Sequence, residues 1–252
     1  MPVSDFCYTI VGFAALSACG GGGGGGGSPP SAPIPTVPDP VTNPTPGTQP
    51  SPTPNPTTPP GDPMVSALMV ASNWEIGPII DGKNYSIGMP LRPTQTNDGW
   101  AIDFPLQGGS VHYVTFKYGS LGNKSRIIMR YRIEADASVK FLPKCCPELL
   151  GIGPTMYFQQ KNDDWNREGG RWFATFNAPW PIVSGEFELS IPLNGNWTSV
   201  YTWSAQSNSV DFNTAKVNSE RIGFTFGGGD GYGHGVYATG QARLVVTSFV
   251  VE

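Results

Sequence analysis

Arg126-Ile127-Ile128-Met129-Arg130-Tyr131-Arg132-Ile133-Glu134 is the stretch that decides the fold of this 252-residue chain. Its odd positions from 127 to 133 are apolar or aromatic, while arginine or glutamate occupies the even positions from 130 onward. Successive side chains of a β-strand point to opposite faces, so this pattern predicts a strand with one buried and one polar face. Arg130 and Arg132 are expected on the polar face.

Similar alternation recurs through the second half of the chain. We predict further strands at 110–119, 155–160, 171–176, 186–193, 199–203, 221–226 and 242–251. Helix signals are scarce, and the best lies at 211–220, where Asn213 or Thr214 is the expected cap. Many strands at short spacing with almost no helix predict an all-β domain, built as a β-sandwich or jelly roll.

Composition divides the chain into an N-terminal part and a domain at 64–252. All seven tryptophans, all fifteen basic residues and all but three of the nineteen acidic residues lie in that domain. Its formal charge is therefore close to zero, which gives no electrostatic basis for binding nucleic acid or an anionic membrane surface. Its length is sufficient for one sandwich with its own core.

The segment 19–63 has the composition of a spacer. An unbroken glycine run occupies 20–27, and proline, threonine, serine and asparagine dominate the rest. Such a segment cannot bury enough apolar surface to offset the entropy of ordering, so we predict a disordered Gly/Pro-rich linker.

Before the spacer, the run Leu16-Ser17-Ala18-Cys19 follows an apolar stretch. It resembles the lipobox of bacterial lipoproteins. The resemblance implies that residues 1–18 are a signal peptide and that Cys19 carries diacylglycerol. The alternative is a short buried apolar element. A membrane-spanning helix is not favoured, because it would need roughly 20 apolar residues. The expected location is the cell envelope, at the outer membrane or cell surface, with a monomer held only by its lipid anchor.

The order of features after residue 196 also points to a family. A strand near Trp197 is followed by a short helical segment, by the run 221–228 with Ile-Gly-Phe and a Gly-rich end, and by a last strand at 242–251. This order resembles the closing strands of galactose-binding-like jelly rolls, including many carbohydrate-binding modules. The resemblance implies a polysaccharide or glycan partner. In those modules an acidic residue near the last strand helps to hold a structural calcium, and the run 242–246 carries none.

Sugar-binding faces combine flat apolar rings with planar polar groups. Tyr157 and Gln159 share one face of the strand at 155–160, and together with Arg130 and Arg132 they would form a ligand-binding floor if these strands share a sheet. The alternative is an ordinary solvated face on which the arginines pair with carboxylates such as Glu134.

The segment 161–172 is the densest polar run in the domain. Asp163, Asp164, Trp165 and Trp172 are predicted ligand-binding residues at the rim of a site. With Asn162, the two aspartates also offer the hard oxygens that calcium prefers, although the spacing is not that of an EF-hand. The alternatives are an Asp/Asn-rich turn and a core position for Trp172. No other cofactor is expected.

Cys145 and Cys146 are adjacent in the sequence. In an oxidising compartment they have three possible states, namely a vicinal disulfide, free thiols, or a bridge to another chain. The vicinal disulfide is the candidate that we carry forward. Redox catalysis is less favoured because the chain has no Cys-x-x-Cys spacing.

Catalytic signals are weak. His112 and His234 have no neighbours that indicate a triad or a zinc motif. Glu186 and Glu188 share a strand face, as glycoside hydrolysis could use, but the same alternation suits solvent-facing residues.

The leading hypothesis is therefore an exported, membrane-tethered protein that captures carbohydrate. One rival is a jelly-roll polysaccharide lyase or glycoside hydrolase, using Tyr157, His234 or an arginine with a carboxylate. A second rival is an envelope structural or adhesion protein without a small ligand.

Overall fold

A computed structural model of the protein describes residues 63–145, 152–165, 167–175, 182–200, 203–227 and 233–252, all of which belong to one compact unit. The strands, in chain order, are β1 Trp74–Gly77, β2 Ile79–Ile80, β3 Lys83–Asn84, β4 Thr94–Thr96, β5 Gly99–Asp103, β6 Tyr113–Lys117, β7 Arg126–Ala135, β8 Phe141–Pro143, β9 Thr155–Gln160, β10 Arg171–Ala174, β11 Gly185–Pro192, β12 Trp197–Ser199, β13 Ser219–Thr225, β14 Val236–Ala238 and β15 Ala242–Val251. The helices are α1 Pro63–Leu68 and α2 Ser209–Val217, with one 3-10 turn at Ala71–Asn73. Neither of these described helices has the length and apolar character needed to cross a bilayer.

The signal peptide predicted at 1–18, the acylated Cys19 and the spacer up to residue 62 lie outside the described residues. So does Cys146. The domain boundaries drawn from composition stay predictions.

Eleven of the strands form two antiparallel sheets. The order is β1-β6-β13-β9-β10-β12 in the six-stranded sheet and β11-β7-β15-β5-β4 in the five-stranded sheet. The chain repeatedly crosses between the sheets, since β6, β9 and β10 alternate with β5, β7 and β11 on the other side. This arrangement confirms the predicted all-β jelly-roll sandwich.

Strand β7 shows the alternation that its sequence predicts. Its odd-numbered residues from 127 to 133 are buried, whereas Arg130 and Glu134 are exposed. It pairs along eight residues with β11 and on its other edge with β15, so it lies inside the five-stranded sheet. The strands observed at Thr155–Gln160 and Ala242–Val251 have the same bounds as the strands predicted there from the sequence.

Aromatic rings fill the core between the sheets. Trp74 of β1 and Trp100 of β5 are fully buried, with ring centroids 4.6 Å apart, and Trp100 stacks on Phe224 of β13 at 6.1 Å. Both indole N–H groups donate to the carbonyl oxygen of Leu68, at 2.8 and 3.1 Å. A buried indole needs such an acceptor, so these bonds hold the end of α1 on the core.

Helix α2 begins two residues before the predicted helix 211–220. The expected caps, Asn213 and Thr214, therefore lie inside the helix. Phe212 is buried, and its ring lies 5.1 Å from that of Trp172. Packing of this ring against the core, rather than a capping side chain, explains the position of the helix.

The strands before residue 110 were missed by the sequence prediction. Four successive residues of β5, Gly99 to Ile102, are buried, so this strand has no two-residue period. Strands β2, β3 and β4 have only two or three residues each. Alternation cannot detect either kind of strand.

Candidate functional site

The predicted floor of Arg130, Arg132, Tyr157 and Gln159 is wrong as a single surface. The two arginines lie on β7 in the five-stranded sheet, and the other two residues lie on β9 in the six-stranded sheet. Strand alternation identifies two faces of one strand, but it does not say which strands pair, because pairing depends on long-range contacts.

On the outer face of the five-stranded sheet, the arginines pair with carboxylates. Arg130 Nε donates to Glu188 Oε2 at 2.6 Å, and Arg132 donates to Glu134 at 2.7 Å and to Asp98. The solvated face that was the alternative expectation is therefore the observed one. Glu188, for which a solvent-facing position was the alternative to a role in a carboxylate pair, is engaged in one of these ion pairs.

The outer face of the six-stranded sheet carries a buried aromatic cluster. Tyr113, Tyr157 and Phe173 are each at most 5% exposed, and Trp165 packs against them. The Tyr157 hydroxyl is hydrogen-bonded to Thr115 Oγ1. Tyr157 was expected to face a ligand directly, but it is covered. Trp172 lies on the opposite face of its strand and is fully buried in the core, as the alternative for that residue expected.

A buried ion pair joins this face to the loop that covers it. Arg171 donates to Asp163 Oδ2 at 2.6 Å, and the two side chains are 4% and 0% exposed. Gln159 Nε2 donates to the same oxygen at 3.0 Å, and Asp163 Oδ1 accepts the Trp165 backbone N–H at 3.2 Å. Among the described residues, no three potential ligand side chains cluster as a metal site would require. Calcium binding by Asn162, Asp163 and Asp164 stays a prediction.

Trp165 has an unusual backbone conformation for a bulky residue. Its φ is 70°, in the left-handed region that disfavours side chains with a Cβ. Its carbonyl accepts a 2.9 Å hydrogen bond from Arg171, whose guanidinium carbon also lies 4.7 Å from the indole centroid. The ring meets Tyr113 edge-on at 5.4 Å. These contacts hold a strained residue in place, and such strain concentrates at functional sites.

Trp165 lines two cavities. The smaller, about 210 Å³, is also lined by Gln159, Asp163 and Arg221. Gln159 is 96% buried, and its Oε1 has no hydrogen-bond partner among the described residues. Because its amide nitrogen faces the Asp163 carboxylate, which only accepts, the orientation of this amide is defined.

The larger cavity, about 510 Å³, is called the outer-face pocket below. Its lining, as far as the structure describes it, consists of Pro78, Ile80, Tyr85, Ile87, Ser110, His112, Tyr113, Lys144, Cys145, Trp165, Arg171, Val200, Gly233 and His234. Tyr85 and Ile87 are 40% and 52% exposed, so part of this apolar wall faces solvent. The pocket has the size and mixed lining of a small-ligand site.

His112 is held by two hydrogen bonds. Its Nδ1 lies 2.8 Å from the Gly233 carbonyl oxygen, and its Nε2 lies 2.9 Å from Ser110 Oγ. A carbonyl can only accept, so in the neutral ring Nδ1 carries the proton and Nε2 accepts from the serine hydroxyl. Burial lowers the pKa of His112, which favours this neutral form. Ser110 is fully buried and therefore orients the imidazole rather than presenting a nucleophile.

His234 and Lys144 lie at the same pocket. Burial lowers the pKa of His234 as well. The Lys144 backbone N–H donates to the Gly235 carbonyl at 2.8 Å, next to the pairing of β8 with β14. Cys145 is disulfide-bonded, while Cys146, its proposed partner, lies outside the described residues.

Two glycines allow the His234 loop to lie against the sheet. Gly233 and Gly235 have φ values of 70° and 88°. A Cβ at Gly233 would collide with the Tyr113 ring, and one at Gly235 would lie 2.5 Å from His112 Nε2. The glycine-rich sequence around His234 thus serves close backbone approach to the pocket.

The sequence prediction did not place His112 and Tyr113 at the same pocket. Strict alternation through 110–119 places these neighbours on opposite faces, yet both line the outer-face pocket. Strand β6 begins only at Tyr113, so His112 lies outside the regular part of the strand. The two-residue spacing of Ser110 and His112 was the available signal for their contact.

Comparisons with known proteins provide no family. No family model and no curated protein matches the chain. One solved structure, described as "Prominent members of the human gut microbiota express endo-acting O-glycanases to initiate mucin breakdown", is 12% identical, with a TM-score of 0.37 over 76% of this chain and 92% of that chain. A likeness at this level assigns neither a family nor an activity.

Proposed function

We propose that this domain binds carbohydrate in the outer-face pocket, with a sugar ring packing against Trp165. The observation that carries the proposal is the arrangement of Trp165 itself. Trp165 remains partly exposed and lines two cavities, while the buried Asp163–Arg171 pair holds its strained backbone. An aromatic ring held in this way needs no reordering when a ligand arrives.

The lining of the pocket matches the two sides of a pyranose. Tyr85 and Trp165 provide aromatic surface for the C–H face of the ring. His234 and Lys144 add polar groups for the hydroxyls at the edge.

A glycan array probed with the full chain tests this proposal. Trp165→Ala should weaken binding by about tenfold or more, because aromatic anchors dominate such contacts. Phe187→Ala is the matched control, since Phe187 packs on Tyr131 in the other sheet with ring centroids 5.3 Å apart. Absence of any glycan signal, or equal losses in the two variants, contradicts carbohydrate binding at this pocket.

The proposed setting is the cell envelope, where a monomer is tethered through acylated Cys19 and the spacer 19–63. Support comes from the lipobox-like run Leu16–Cys19 and the Gly/Pro-rich composition that follows it. Mass spectrometry of the cell-made protein should find residues 1–18 removed and a lipid on Cys19. A retained segment without lipid contradicts the tether.

Polysaccharide cleavage is the second candidate function. The imidazole of His234, at the same pocket as Tyr113, favours it because burial lowers the pKa of His234, and a neutral histidine can accept a proton from a sugar carbon. No carboxylate is among the described residues lining this pocket, so the two-carboxylate route of glycosidases lacks support there. Release of unsaturated or reducing ends from a polysaccharide panel would show an enzyme, and binding without product would show a capture module.

A further inference from the structure

We infer that the outer-face pocket selects an anionic sugar unit, one that carries a carboxylate or a sulfate. This inference rests on the proposed carbohydrate function and specifies its ligand class. It is carried by the distribution of charge around the pocket. The cationic or protonatable side chains there are His112, Lys144, Arg171 and His234, and none of the described lining residues is Asp or Glu.

These groups are not equivalent. Arg171 is neutralised by Asp163 at 2.6 Å and serves to hold Trp165. Lys144 is exposed and makes no ion pair with any described residue, so its charge is available to a ligand. An ammonium group of this kind is an effective partner for a carboxylate or sulfate oxygen.

The opposite sheet provides the contrast. Arg130, Arg132 and Arg243 on its outer face each lie within 3 Å of a carboxylate oxygen. That surface balances its own charges, whereas the outer-face pocket combines two imidazoles with Lys144, which pairs with no described carboxylate. The difference favours an anionic ligand at the pocket only.

The imidazoles add a pH dependence. His112 shares the pocket lining with His234, Lys144, Tyr113 and Arg171. Burial, followed by repulsion from His234 and Lys144, lowers the pKa of His112. Burial also raises the pKa of Tyr113, so this ring stays uncharged. An anion favours the protonated imidazoles, so binding takes up protons and strengthens as the pH falls toward mildly acidic values.

The first test is a glycan array with separate uronate, sulfated and neutral sets, probed with the full chain at pH 7.5 and pH 5.5. Signal confined to the charged sets, and stronger at pH 5.5, is expected, and the uronate and sulfated sets separate the two anions. Signal from neutral glycans at equal or greater strength overturns the anionic inference but leaves carbohydrate binding intact. No signal from any set contradicts both proposals.

The second test changes the charge at the pocket. Lys144→Gln should weaken binding to the anionic glycans of the same array by about five- to tenfold at low salt, with a smaller loss at high salt. Lys140→Gln is the matched control, because Lys140 is an exposed lysine at the other end of β8 and is not among the described residues that line the pocket. Equal binding by these two variants overturns the role of Lys144. In a separate variant, His234→Gln should reduce the increase in glycan binding between pH 7.5 and pH 5.5.

Discussion

The two outer faces of this sandwich differ in the solvent exposure of their polar side chains. On the five-stranded sheet, charged side chains face solvent and pair across strands, as Arg130 does with Glu188 at side-chain exposures of 63% and 47%. On the six-stranded sheet, the equivalent positions hold Tyr157 and Phe173, both fully buried, and the Arg171–Asp163 pair at 4% and 0% exposure.

The covering loop causes this difference. Trp165 and Asp163 come from the segment after β9 and close over the outer face of that strand. A charge pair that is removed from water depends on its partner far more than an exposed pair does. The outer face of the five-stranded sheet is therefore solvated, whereas that of the six-stranded sheet is covered and forms the candidate site. Four variants or conditions test this contrast.

The largest expected effect is the loss of the buried pair. Arg171→Ala leaves the Asp163 carboxylate buried without its cation and should lower the free energy of unfolding by about 3–5 kcal/mol. Urea denaturation measures it. The double variant Arg171→Met/Asp163→Leu is expected to recover most of the loss, and a single-variant cost below about 1 kcal/mol would mean that this face is as solvated as the other.

The next effect comes from the glycine beside His112. Gly235→Ala places a methyl group 2.5 Å from His112 Nε2 at a φ of 88° and should cost about 2–3 kcal/mol. Gly82→Ala is the control, because Gly82 has a φ of 75° but no atom within 4 Å of its Cβ position. Thermal unfolding compares the two, and equal costs would show that backbone strain alone, not closeness to the pocket, determines the loss.

A smaller effect should follow from pH. Burial lowers the pKa of His112 and of His234 from the ordinary value of 6.5. The unfolded chain therefore binds more protons than the folded chain below pH 6.5, and stability falls as the pH drops from 6.5 through the folded pKa values. In the double variant His112→Gln/His234→Gln, the difference between the denaturation midpoints at pH 7.5 and pH 5.5 should shrink. An unchanged difference in that variant would mean that other groups cause the loss of stability at low pH.

The smallest effect is expected on the five-stranded sheet. Arg130→Ala breaks an exposed ion pair with Glu188 and should cost about 0.2–1 kcal/mol, decreasing with added salt. The same urea assay applies. A cost comparable to that of Arg171→Ala would remove the distinction between the two faces.

Some of the site could be read from the sequence and some could not. The polar density at 161–172 identified Trp165 and Asp163 as residues of interest, and the glycines around His234 suggested a loop at a site mouth. No local sequence pattern connected these residues with Tyr85, His112 or Lys144, which are distant in the chain but line the same pocket. Arg130 and Arg132 were assigned to the wrong surface because their strand pairs with β11 and β15 rather than β9.

The sequence by itself determined the all-β class, the two faces of strands such as β7 and β9, and the apolar residues that form the core, because a two-residue period follows directly from backbone geometry. Only the tertiary structure decided which strands share a sheet and which outer face is covered. Those outcomes depend on contacts between distant segments, such as Asp163 with Arg171 and Gly233 with His112, and on the packing of the whole core.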